Sequence, residues 1–193
     1  STISNQTGCD TQTVTTDTSG VTFTCSATSG GGTSSQSVTI KRDATAPNIT
    51  FASRTAPNAN GWNNTNVAVE WTCADSLSGA VSSSVTTIVS TEGANQSALG
   101  ICTDNAGNTA SDTQTGINID KTAPTISFDS RTAPNAAGWN NTDVQVNWTC
   151  SDAVSGVVNS LVNQTVSSEG ASLSSTGTCV DLRKHGAEHA DRN

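Results

Sequence analysis

Tyrosine and methionine are absent, and three Phe and four Trp make aromatic residues only 4% of a 193-residue chain. So little bulky apolar matter excludes one large core and favours several small domains closed by cross-links. Charge is scarce too: 12% of residues are charged, with eight basic against sixteen acidic residues and a net charge of −8. That balance excludes a nucleic-acid partner, because nothing neutralises a phosphate backbone. No apolar run approaches the ~20 residues that span a bilayer, so no membrane span is expected. No signal peptide is present either, and the expectation is a mature segment or a fragment. The six cysteines contain no C-x-x-C pair, which argues against zinc ribbons and for disulfides formed in an oxidising, extracellular compartment.

What is plentiful is Ser, Thr, Asn and Gly, suited to exposed β surface and turns. Val67, Val69, Trp71 and Cys73 alternate with Ala68, Glu70 and Thr72, the pattern of a strand with one buried face. Cys73 and Cys102 stand near the ends of two such alternations, where a small β-sandwich places an inter-sheet disulfide. The stretch repeats. Cys25 and Cys102, Cys102 and Cys179, and Cys73 and Cys150 all lie 77 residues apart. Asp43/Asp120, Trp62/Trp139, Trp71/Trp148, Asp75/Asp152, Gly79/Gly156 and Asp104/Asp181 keep the same offset. The expected fold class is therefore all-β: tandem β-sandwiches of about seven strands per full module, plus a short C-terminal tail with helical spacing.

The expected divisions are a partial module over 1–43 lacking its first strands, a complete module over 44–121, a module over 122–182 lacking its normal last strand, and an aberrant tail over 183–193. The linkers D-A-T-A-P (Asp43 to Pro47) and D-K-T-A-P (Asp120 to Pro124) follow a last strand directly. Proline fixes φ and restricts its predecessor, so these joints are read as short and semi-rigid. Cys9 has no counterpart at the Cys73 position. A Cys9–Cys25 bond is the simplest pairing that leaves Cys73–Cys102 and Cys150–Cys179 intact.

After Leu182 the repeat calls for A-G-N-T-A-S-D-T-Q-T-G, yet the chain reads R-K-H-G-A-E-H-A-D-R-N. Codons for Arg183 to Arg192, read one nucleotide later, permit G-N-T-A-x-N-T-Q-T-G, which agrees with Gly107 to Gly116 except opposite Ser111 and Asp112. The tail is thus read as a frameshifted last strand. A truncated first module and an altered last one leave sheet edges open, so self-association by strand addition or swapping is expected.

The set G-W-N-N-T, W-T-C-x-D-x-x-S-G, S-[ST]-E-G-A, C-T-D-N-A-G-N and D-K-T-A-P resembles the bacterial immunoglobulin-like tandem repeats of large secreted and cell-surface proteins, over nearly all of the chain up to Leu182. The resemblance implies a non-catalytic structural or adhesive stalk at the cell surface, requiring no cofactor, with a cell-surface or polysaccharide ligand unspecified. It also places Trp71 and Trp148 two residues before a cysteine, unlike antibody-type domains, packing over the disulfide.

Two constellations could carry metal chemistry. Asp75 and Asp104, and likewise Asp152 and Asp181, each sit two residues after a paired cysteine, so each pair reaches one end of its sandwich and suits Ca²⁺, with Asn105 and Asn108 as further oxygen donors. The competing reading is that each Asp caps its own turn. Asp43 and Asp120 in the linkers form a second calcium position. In the tail, His185, Glu188 and His189 spell H-x-x-E-H; on a helix both imidazoles share a face suited to Zn²⁺, with Glu188 as general base and Asp181, Asp191 or Glu169 as third-ligand candidates. That pattern supports the alternative function, a zinc-dependent hydrolase of esterase or phosphoesterase type.

Overall fold

The computed structural model describes residues 2–183 and 188–192, the last five by backbone alone. The described residues are all β, without helix, and the strands pair in antiparallel sheets. One sheet has the order β1 (Ile3–Thr7), β2 (Thr18–Ser29), β3 (Gly32–Arg42). A second joins β4 (Asn48–Arg54), β5 (Val67–Ala74) and β6 (Ser84–Val89), followed by the pair β7 (Gly93–Thr103) and β8 (Thr109–Ile119). The plan recurs as β9 (Thr125–Arg131), β10 (Val144–Ser151) and β11 (Leu161–Val166), then β12 (Ser175–Cys179) with β13 (Glu188–Arg192). Between 44 and 121 there are five strands where about seven were expected. Part of the shortfall is the segment around Asn63 and Ala80, which makes only isolated bridges, to Ile119 and Asp104.

The expected alternation on β5 is realised in full: Val67, Val69, Trp71 and Cys73 are buried, and each residue between them is exposed. All three disulfides form as paired above, and Cys73–Cys102 and Cys150–Cys179 each tie the middle strand of a three-stranded sheet to a strand of a two-stranded one. By compactness the chain divides into two units. The first comprises Ser1–Ser53, Glu70–Thr87 and Leu99–Thr113; the second comprises Arg54–Val69, Ile88–Ala98 and Gln114–Asn193.

In the first unit, Trp71 is wholly buried and its ring abuts the backbone of Gly100, two residues before Cys102. A β-carbon at Gly100 would stand 2.5 Å from Trp71 Cδ2, so only glycine admits the ring. In the second unit the same arrangement holds for Trp148 and Gly177, where the added carbon would lie 2.6 Å away. By contrast, no residue from 2 to 46 is buried. The β1–β2–β3 sheet holds together by its ladder, by Cys9–Cys25 and by paired hydroxyls such as Thr22–Thr39 and Thr24–Ser37 at 2.8 and 2.7 Å.

The helical tail is corrected by the structure. Glu188–Arg192 is a strand in register with Ser175–Cys179, His189 opposite Thr178. The ladder to β12 satisfies this segment's backbone, which outweighs the short helix that H-G-A-E-H spacing suggested, and Gly186 disfavours that helix in any case.

The two buried indoles differ in their hydrogen bonding. Trp71 Nε1 donates to Asp112 Oδ2 at 2.6 Å. Trp148 Nε1 is buried with no hydrogen-bond partner among the described residues, and the position 77 residues after Asp112 is His189. An unmet buried donor costs about 1–3 kcal/mol. Asp112→Ala should therefore lower stability by about that amount, and His189→Asp should raise it, both read from thermal or denaturant unfolding. An unchanged midpoint in His189→Asp would show that position 189 does not face Trp148.

Candidate metal centre

Asp43 leaves β3, Asp75 leaves β5 and Asp104 leaves β7, and carboxylate oxygens of the three lie within 4.8 Å of one another. Each aspartate first builds its own loop. Asp75 Oδ1 accepts from the backbone N–H groups of Leu77 and Gly79 at 3.0 and 2.8 Å and from Ser78 Oγ at 3.4 Å. Asp104 Oδ1 accepts from Ala106 N and Asn108 N, and its Oδ2 from Asn108 Nδ2 at 2.8 Å. Asp43 accepts from Thr45 N in its own linker and from Ser78 N in the D-x-x-S-G loop, at 3.0 and 3.1 Å. That last bond draws the linker onto the loop, and Asn108 Nδ2 reaches the carbonyls of Asp43 and Thr45.

The second unit repeats this. Asp120, Asp152 and Asp181 also place oxygens within 4.8 Å of one another. Asp152 Oδ1 accepts from the N–H groups of Val154, Ser155 and Gly156 at 2.9 to 3.0 Å, and Asp120 Oδ2 from Ser155 N at 3.2 Å. Asp120 and Asp181 are buried, as is Asp104 in the first triad. The second triad differs at one point: Arg183 Nε donates to Asp181 Oδ2 in a buried ion pair.

The turn-capping role of these aspartates and their convergence are thus both present. A carboxylate offers about four lone-pair sites on two oxygens, so capping does not exhaust it. Oxygens around one Ca²⁺ at about 2.4 Å are at most ~4.8 Å apart, and the carboxylate oxygens of each triad lie within that limit. Ca²⁺ takes six to eight oxygens, so three carboxylates make about half a shell and carbonyls or water must supply the rest. The donor set is all oxygen and anionic, which suits Ca²⁺ and not Zn²⁺.

The loop and linker aspartates, expected as separate positions, come together in one triad in each unit. In each D-x-x-S-G loop the serine N–H donates to the linker carboxylate. Asn105 Nδ2 is spent on Ser78 O at 2.9 Å, and Asn108 on Asp104 and the linker, so both position the triad as donors. For the zinc constellation, His185 lies outside the described residues, while Glu188 and His189 are neighbours on β13. Of the third-ligand candidates, Asp181 is committed to Arg183, Asp191 lies on β13, and Glu169 is exposed in the segment after β11. The chain matches no family model, and no curated protein matches it.

Asp43 is held below the ordinary carboxylate value chiefly by its hydrogen bonds from Ser78 and Thr45. For Asp104, burial pushes upward, but the Asn108 side chain and the N–H groups of Asn108, Ala106 and Gly107 outweigh it, and the net direction is down. A carboxylate lowered on folding stabilises the fold above its unfolded pKa, and that contribution disappears as pH falls through the lowered value. Stability should accordingly be level from neutral pH to about 4 and fall below it. Asp104→Asn should flatten that fall, which acid titration of the unfolding midpoint measures.

Proposed function

We propose that the chain is a segment of an extracellular structural or adhesive stalk, built of immunoglobulin-like modules repeating every 77 residues, in which a linker aspartate and two loop aspartates form a Ca²⁺ joint. Disulfides and an all-β fold suit an oxidising exterior, and no described helix is long and apolar enough to cross a membrane. The observation that carries the calcium part is the convergence of a linker aspartate with two loop aspartates in both triads. Three like charges so close repel, and a divalent cation converts that repulsion into attraction while tying the linker to both loops.

The joints are short and already well bonded without metal. Asp17 accepts from Arg42 Nη1, Ala44 N and Thr45 Oγ1 at 2.5 to 2.9 Å. Lys121 Nζ donates to Asn66 Oδ1 and Ser90 O at 2.7 and 2.5 Å, and Asp120 N to Asn63 O at 2.9 Å. A cation at the Asp43 joint adds to these bonds by tying the linker to both loops. The uncovered β1–β2–β3 sheet, with Ile3, Val38 and Ile40 exposed, supports association with another copy by strand addition.

Thermal melting in EDTA and in millimolar Ca²⁺ tests the calcium reading. At free Ca²⁺ one hundred times Kd, linkage adds about 2.7 kcal/mol, a rise of several degrees that Asp75→Asn should diminish. Coincident melts would eliminate the calcium joint and leave a metal-free stalk.

A further inference from the structure

The two triads are controls for each other. Their aspartates occupy equivalent positions and cap equivalent loops, but the residue two places after the last aspartate is Ala106 in one and Arg183 in the other. Ala106 contributes only its backbone N–H, to Asp104 Oδ1 at 2.9 Å. Arg183 contributes a guanidinium to Asp181 Oδ2 and is itself buried, 8% exposed. Its backbone is pinned as well: Asn58 Nδ2 donates to the carbonyls of Arg183 and Leu182 at 2.7 and 3.0 Å, and Asn60 Nδ2 to Leu182 O at 2.8 Å. The guanidinium therefore springs from a fixed point beside the triad, so little side-chain entropy is lost in pairing.

We propose that Arg183 is a built-in counter-ion that closes the Asp120–Asp152–Asp181 triad to divalent cations, so that only Asp43–Asp75–Asp104 takes calcium tightly. The inference rests on the calcium reading of the triads. The pair occupies one Asp181 oxygen and lowers the net charge of the cluster from three negative to two. A cation entering beside Asp181 meets a like charge, or displaces a buried guanidinium and strands it without a partner. Neither penalty exists at the first triad, where the equivalent side chain is a methyl group.

The test is calcium titration of the full chain by calorimetry, comparing wild type with Arg183→Ala, which installs the residue found at position 106, and with Arg183→Gln, which keeps the stem and removes the charge. The expected result is one tight site in the wild type, abolished by Asp75→Asn, and two in either Arg183 variant, the new one gaining at least about tenfold in affinity and being lost again on adding Asp152→Asn. An intact Cys150–Cys179 bond and unchanged far-ultraviolet dichroism certify the variants' fold. Two equivalent sites in the wild type would overturn the role of Arg183 while leaving the calcium reading in place. One site in every form would do the same. No binding in any form would overturn both.

Discussion

A tryptophan ring against the backbone of a glycine, with a disulfide two residues further along both strands, is the contact on which each covalently closed sandwich depends. The chain is too poor in large apolar side chains to hold two sheets together by area alone, so one indole and one cystine carry what a larger core would spread over many residues. This explains why glycine stands at 100 and 177, mid-strand, where it is otherwise disfavoured. It also explains why the alternation on β5 is so strict: the residues flanking Trp71 have no second layer to bury them.

Much of the fold was legible because these signals are local or periodic. Val67 to Cys73 alternates at period two, and the cysteine offsets constrain the pairing, so strands and disulfides could be read from the chain. The tail could not. That Glu188–Arg192 forms a strand depends on β12 offering an edge to pair with, which is a tertiary fact. The candidate site was half legible. Each loop aspartate announces itself two residues after a cysteine, but the arrival of Asp43 beside Asp75 depends on Ser78 N–H turning toward the linker, and no spacing rule encodes that.

The guanidinium on Asp181 originates in the departure from the repeat at Arg183, the point after which the Trp148 indole has no partner among the described residues. The strand after the departure still pairs, because backbone ladders tolerate most side chains. Beside the carboxylates, the small residue Ala106 is replaced by Arg183.

The disulfides also govern how this chain responds to being pulled from its ends. Cys73–Cys102 and Cys150–Cys179 each short-circuit a sequence separation of 29 residues, so about 100 Å of contour per bond is withheld from extension. Under tension the sheets can shear and the outer strands peel, yet the segment between the paired cysteines stays slack. Only reduction of the two bonds releases that withheld length.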